Sequence, residues 1–310
     1  MIKKTLYFGS PTYLSLRDRQ LVIKLPEVEK NHDLPPSFKQ NSEVTKPIED
    51  IGIIVLDNRQ ITLTQPLLSA LLDVDCALIT CDERGLPVGL MLPLYCNTLQ
   101  SERFRDQIYA STPLKKQLWQ QTIVTKIHNQ AAVLRTQVGG HQRCMDVWAG
   151  EVKSGDADNR EARAAEYYWK TLFGHIDNFI RDREGPPPNN VLNYGYAILR
   201  AVVARGLVSS GMLPTLGIHH HNRYNAYCLA DDIMEPYRPY VDAHVCRTID
   251  KLGMPKQITK EWKVELLSIP TLDVKIGGKQ RPLMIAVTET TASLYRCFAG
   301  ESRKISYPEM

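Results

Sequence analysis

Pro186-Pro-Pro-Asn-Asn-Val-Leu-Asn-Tyr-Gly-Tyr-Ala-Ile-Leu-Arg-Ala-Val-Val-Ala-Arg-Gly-Leu-Val208 is the stretch on which the fold turns. The three prolines break the chain and Asn189 is a good cap residue. Val191 to Val208 is apolar nearly all round, so the pattern predicts a helix buried on every side. Such a helix belongs at the centre of a helical domain. Upstream of it, Ser111-Thr-Pro113 is a start signal for a long amphipathic helix carrying Leu114, Leu118, Ile127, Ala131 and Leu134 near helical spacing. Downstream, Val274-Lys-Ile-Gly-Gly-Lys279 reads as a tight hairpin, and Leu283 to Phe298 as a last helix before a basic polar tail. No internal repeat is visible.

The first part of the chain has a different texture. Thr5 to Phe8, Tyr13 to Leu16 and Gln20 to Lys24 are short runs of β-branched, aromatic and aliphatic residues. Asp50 to Leu56 and Ala77 to Thr80 are continuous apolar runs, as expected of strands buried on both faces. Between them, Thr64-Gln-Pro66 offers a cap and an early proline for a short helix with Leu67, Leu68, Leu71 and Leu72. Pro26 to Lys46 is polar and proline-bearing and reads as a loop. The composition changes after Tyr95. The expected class is therefore α+β, with an N-terminal β-rich domain over residues 1–97 and a mainly α-helical C-terminal domain over 98–310.

At 310 residues the chain is long enough for two domains of ordinary size. No apolar run approaches the ~20 residues that span a bilayer, and Met1-Ile-Lys-Lys-Thr5 is not followed by an apolar signal segment. The expectation is a cytoplasmic protein without a membrane partner. Seven cysteines with no Cys-x-x-Cys pair suggest buried thiols, and neither a zinc ribbon nor a disulfide framework. A net charge of +4 is mild and favours an anionic partner only where it is locally concentrated.

Three segments carry residues with metal-binding chemistry. Glu161 begins a helix whose apolar stripe is Ala164, Ala165, Tyr168, Trp169 and Leu172, so its carboxylate points along the packed face. A carboxylate drawn inward is costly unless a cation or donors meet it. Asp158-x-x-Glu161 also fits a capping box, which requires no further function. His219-His-His221 follows Gly217, and adjacent histidines cannot all face one site. Asp231, Asp232 and Glu235 crowd into about one helical turn, where Glu235 repels both aspartates unless a positive group sits among them. Pro236 predicts a kink beside these acids. The alternative is a solvated acidic turn neutralised by Arg238 and Arg247. Hard oxygen ligands with one nitrogen and no thiolate suit Mg²⁺ or Mn²⁺ better than zinc.

Six segments occur in an order that resembles one known family. They are Ile48-Glu-Asp-Ile-Gly52, Cys81-Asp-Glu-Arg-Gly-Leu-Pro87, Glu161-Ala-Arg-Ala-Ala-Glu-Tyr-Tyr-Trp169, Leu192-Asn-Tyr-Gly-Tyr-Ala-Ile-Leu199, Gly217-Ile-His-His220 and Asp232-Ile-Met-Glu-Pro-Tyr-Arg-Pro239. Together they resemble the spacer-acquisition integrase and endonuclease of CRISPR adaptation, CRISPR-associated protein one, in the form that accompanies type II systems. The family's metal-binding glutamate falls on Glu161, with Ala162 in place of the usual glycine. Its histidine falls on His220. Its acidic ligand falls on Glu235, and Asp232 is kept as a second candidate because other branches use a nearby aspartate. The resemblance implies a homodimer that assembles with the small ferredoxin-like adaptation subunit, CRISPR-associated protein two, and captures double-stranded DNA. It implies Mg²⁺- or Mn²⁺-dependent insertion of short duplexes into the CRISPR array by transesterification from DNA 3′-OH ends. Arg163, Arg223, Arg238 and Arg247 are candidates for phosphate contacts. A non-catalytic DNA-binding subunit and a stand-alone nuclease acting on branched repair DNA are the competing expectations.

Overall fold

The computed structural model describes every residue except 1, 95, 96, 141, 178 and 183, and the chain divides into two units, Met1–Cys96 and Asn97–Met310. Tyr95, after which the composition changes, and Cys96 lie outside the described residues. The other six cysteines are free thiols, with Cys76, Cys228 and Cys297 buried.

The first unit is built from strands and short helices. Its strands are β1 (Lys4–Phe8), β2 (Thr12–Arg17), β3 (Gln20–Lys24), β4 (Val44–Pro47), β5 (Ile51–Leu56), β6 (Ile61–Leu63), β7 (Ala77–Cys81) and β8 (Pro87–Met91). They form two four-stranded sheets, in the orders β1-β5-β7-β8 and β4-β3-β2-β6. In the first sheet β1, β5 and β7 run parallel and β8 returns antiparallel. The unbroken apolar run of β5 is explained by this place: Ile51 to Val55 are all buried. Helix α3 (Gln65–Asp73) closes the core with Leu67 and Leu71, against Leu14 and Leu21 from one sheet and Ile51, Ile54 and Leu78 from the other. Thr64 occupies the cap position of α3, but its side chain makes no cap hydrogen bond. The expected loop over 26–46 is corrected: it holds α1 (Pro26–Lys30), α2 (Pro36–Asn41) and the edge strand β4. Prolines in the first turns of α1 and α2 are compatible with helix, because a first-turn N–H has no partner to lose.

The second unit is mainly helical: α4 (Gln100–Tyr109), α5 (Thr112–Gln137), α6 (Arg143–Gly150), α7 (Arg160–Leu172), α8 (Asn189–Ser209), α9 (Cys228–Met234), α10 (Arg238–Leu252), α11 (Lys260–Leu267) and α12 (Leu283–Phe298). A hairpin of β9 (Asp273–Ile276) and β10 (Lys279–Pro282) turns at Gly277 and Gly278, both at positive φ, as a two-residue type I′ turn requires. The expectation that no apolar run is long enough to span a bilayer is corrected: helix α8 is long and apolar enough by length and composition, but 72% of its most apolar 18-residue stretch is buried inside the unit, as in the core helix of a globular domain. It packs against α9, α10, α11 and α12, as expected of a central helix. Gly195 lets α10 approach closely, since a Cβ there would lie 2.7 Å from Val241 Cγ1. Asn189 is not the cap. It is the first helical residue of α8 and is fully buried. Its amide donates to the carbonyls of Ile180 and Pro186 and accepts from the Asp182 N–H and the Arg181 guanidinium, which fastens the preceding loop to the helix.

Helix α5 is the other organising element. Ser111 caps it, its Oγ accepting from the Leu114 N–H. It packs against α6, α7, α10 and the Glu235–Tyr237 turn, and one side chain, Asn129, ties several of these pieces together. The Asn129 amide donates to the carbonyls of Pro236 and Pro308, and its oxygen accepts from the Met310 N–H. Residues 303–310 are further laced to the unit through Gln121, Thr122 and Ser293.

A buried carboxylate joins α7, α8 and α10. Asp242 accepts hydrogen bonds from Tyr168 at 2.9 Å and Tyr196 at 2.5 Å. Burial pushes its pKa up to about 6 from the ordinary 3.8, against those two hydrogen bonds and the charges of Arg181 and Arg238. The folded state therefore takes up this proton more readily than the unfolded chain does. The resulting stabilisation is full below pH 3.8 and is lost as pH rises through about 6. Denaturation of wild type and Asp242→Asn between pH 4 and 7.5 is expected to shift the stability difference in favour of the variant up to about pH 6. Above that the difference levels off; one independent of pH would refute the account.

Candidate metal centre

Glu161 lies in the first turn of α7, and the local sequence leaves its carboxylate free to reach away from its own helix. Gly155, Asp156 and Asn159 adopt positive φ and fold the preceding turn back on itself. This brings Asp156 under the helix start, where its two oxygens accept from the N–H groups of Arg160, at 2.9 Å, and Glu161, at 3.0 Å. The capping box expected between Asp158 and Glu161 is therefore corrected. Asp158 instead pairs with Lys153 at 2.7 Å, and Asp156 does the capping. The Glu161 carboxylate meets Lys126 of α5, its Oε1 lying 2.6 Å from Nζ.

Glu235 reaches the same ammonium from another segment of the chain. Pro236 ends α9, and the chain makes one 3₁₀ turn, Glu235–Tyr237, before α10, so the anticipated kink is present. Glu235 is buried, with Oε2 at 2.6 Å from Lys126 Nζ and Oε1 at 2.9 Å from Arg238 Nε. Burial raises the Glu235 pKa, but the charges of Arg238 and Lys126 outweigh it and hold the carboxyl below its usual range. Burial likewise works against the Lys126 charge, and the attraction of Glu235 and then Glu161 more than restores it, so the ammonium is held firmly. The expected solvated acidic turn is not what forms: Asp231, Asp232 and Glu235 are all buried, while Arg247 is exposed. Asp231 is occupied elsewhere, paired with Arg200 at 2.6 Å and accepting from Asn225 at 2.7 Å.

The histidine triplet is sorted by Asp232, which is fully buried in α9. Its Oδ2 accepts from the N–H groups of Ile218, at 2.7 Å, and His219, at 2.9 Å, and its Oδ1 from that of His220, at 3.2 Å. The same Oδ1 lies 2.5 Å from His220 Nδ1. Gly217 makes the wrap feasible, because a Cβ there would collide with the His220 carbonyl and lie 2.8 Å from Asp232 Oδ2. His219 stacks on Trp119, ring centroids 4.1 Å apart, and His221 is exposed. His220 is raised in pKa first by its bond to Asp232, against burial, and then by the charges of Asp232, Glu235 and Glu161. With Nδ1 on a buried carboxylate, Nε2 is the ring atom left for a ligand, the arrangement usual for a metal-binding imidazole.

The structure thus brings Glu161 and Glu235 onto one cation and sets His220 within reach of their charges, while both oxygens of Asp232 are committed to the His220 loop. Among the described residues no three His, Cys, Asp or Glu side chains stand close enough to hold an ion together. The position between the two glutamates is taken by Lys126. Two carboxylates already converged on a cation, beside an imidazole of fixed tautomer, are a donor set that fits a hard divalent ion. Lys126 and Asp156 were not anticipated. Lys126 carried a signal: it lies i+3 from Ile123, i+7 from Trp119 and i−4 from Gln130, which puts a lysine on the buried face of α5.

Residues 6–264 match the family described as CRISPR associated protein Cas1. A CRISPR-associated endonuclease Cas1 of Neisseria meningitidis serogroup C is 36% identical over 301 residues, 96% of this chain and 93% of that protein. Among solved structures, a casposase bound to integration product superposes with a TM-score of 0.75 at 19% identity, covering 98% of this chain and 92% of that one. A Cas6-RT-Cas1–Cas2 complex gives 0.72 at 17% identity, covering 97% of this chain and 35% of that one. At these identities the structural likenesses establish the fold alone.

Asp232→Asn replaces a four-fold acceptor with a group whose NH₂ faces donors. Thermal denaturation is expected to show a loss of about 2–4 kcal/mol. A loss within about 0.5 kcal/mol, the range of an ordinary surface substitution, would mean that the carboxylate does not hold the loop.

Proposed function

Since the chain belongs to the CRISPR-associated protein Cas1 family, we propose that it is a divalent-metal-dependent DNA endonuclease and integrase of CRISPR adaptation. It inserts short duplexes into the repeat array by transesterification. The observation that carries this reading is the convergence of Glu161 and Glu235, from separate helices, on one buried cation position beside His220. Glu161, Glu235 and the Nε2 of His220 would hold the ion, Mg²⁺ or Mn²⁺ by the hardness of the donors. When bound, it supplies Lewis-acid stabilisation of charge on the scissile phosphate and the departing oxygen.

The chain's own residues do the rest by position. Asp232 fixes the His220 tautomer and aims Nε2, so it is a positioning residue and not a ligand. Arg238, stacked over the Tyr196 ring at 4.6 Å, balances Glu235 at Oε1, the carboxylate oxygen that Lys126 does not take. The nucleophile is a DNA 3′-hydroxyl, so no side chain has to form a covalent intermediate. The substrate is double-stranded DNA and the setting cytoplasmic. The N-terminal unit serves dimerisation and contacts with the small ferredoxin-like subunit; the Cas2-containing complex among the structural relatives supports that subunit as a partner.

Strand transfer of a 3′-OH duplex into a repeat plasmid tests the assignment. Glu161→Ala, His220→Ala and Glu235→Ala are each expected to lower the rate by more than about 100-fold in Mg²⁺ or Mn²⁺, and Asp232→Ala by about 10- to 100-fold, as an outer-shell partner does. Retention of wild-type rates by folded ligand variants would exclude this site.

A further inference from the structure

Lys126 is an odd residue to find here. It is buried on α5, its ammonium touches Glu161 Oε1 and Glu235 Oε2 at 2.6 Å each, and these are the two carboxylates that would hold the divalent ion. A lysine that served only to fill the helix face would not need both. Two carboxylates this close repel, and with Glu235 buried and Glu161 half-buried they are destabilising unless a positive charge stands between them. The Lys126 ammonium provides that charge.

The same placement opposes the ion. A divalent cation drawn to Glu161 and Glu235 would find a unit positive charge already within ligand distance of both. Arg238 is poorly suited to yield, because its guanidinium is fixed between Glu235 Oε1 and the Tyr196 ring. The lysine is the group that can move: its flexible four-carbon stem can change rotamer while the rest of α5 stays anchored by Asn129 and the 303–310 segment.

We propose that Lys126 is the resident cation of this centre, holding Glu161 and Glu235 in register while the ion is absent and exchanging with the ion when it binds. The inference rests on the metal-centre reading and deepens it. Lys126 is a positioning residue on this account. It lowers ion affinity in return for a preformed site, so that the centre does not swell apart between catalytic cycles.

The sign of the effect separates this role from a merely structural one. Lys126→Met removes the charge and keeps the stem. In protein stripped with a chelator, the variant is expected to melt below wild type, yet to bind Mn²⁺ at least tenfold more tightly by calorimetric titration. Lys126→Arg, which keeps the charge, is expected to stay within a few-fold of wild type. A folded Lys126→Met protein that binds Mn²⁺ no more tightly than wild type overturns the proposal. Should that variant not fold without metal, the wild type decides. Its ¹⁵N-labelled Lys126 ammonium resonance is expected to be protected from exchange in chelator and to lose protection on saturation with Mg²⁺, and a signal unchanged by Mg²⁺ overturns the proposal. Mn²⁺ binding abolished by Glu161→Gln and Glu235→Gln, with Lys126→Met no tighter than wild type, sinks only the exchange. Mn²⁺ binding that survives both glutamine variants sinks the metal-centre reading with it.

Discussion

Two acidic side chains held on one buried ammonium set the terms for the helical unit. Glu161 comes from the first turn of α7 and Glu235 from the turn between α9 and α10, and both reach Lys126 of α5 at 2.6 Å. Buried charge is tolerated only when it is paired closely and in good geometry. This makes the register of three separate helical segments interdependent. A slip of one residue along α5 would turn Lys126 away and leave two carboxylates facing each other. The packing around the pair reads as a set of devices that prevent such a slip. Asp156 fixes the start of α7, and Asn129 ties α5 to the carbonyl of Pro236 and to the last residues of the chain.

Around this ion pair the unit uses polar groups where an ordinary core would use apolar ones. Asp232 gathers the Gly217–Asn222 loop by accepting from three successive backbone N–H groups and the His220 ring. Asp242 gathers two tyrosines from neighbouring helices, and Asp231 pairs with Arg200. Each of these carboxylates leans on several partners, which is what keeps a charged interior stable. The apolar framework that carries them is α8, packed among α9, α10, α11 and α12.

Much of this was readable from the sequence, and the readable parts share a cause. Strands β5 and β7, the central helix α8, the long helix α5, the Gly277-Gly278 hairpin and the last helix are written in periodicity and turn chemistry, which are local. The same holds for the kink at Pro236. The misreadings lie where a side chain acts over distance. Asn189 has the residue type of a cap but is recruited by the loop before it, and Asp158 yields the capping of α7 to Asp156 because positive φ at Gly155 and Asp156 reverses the chain. Pro26 to Lys46 looked irregular because its helices are short and its strand lies at an edge. The role of Lys126 depends on two segments far away in sequence, so only its place on the buried face of α5 hinted at it.

On the proposed function, Glu161, His220 and Glu235 form one divalent-ion site in which Lys126 gives way. Anomalous diffraction from crystals grown with Mn²⁺ addresses it directly. A single Mn²⁺ peak bounded by a carboxylate oxygen of Glu161, His220 Nε2 and a carboxylate oxygen of Glu235, with the Lys126 ammonium displaced from its present position between the acids, is the predicted result. A peak elsewhere in the unit, or an ammonium still bridging both glutamates at saturating Mn²⁺, would contradict it.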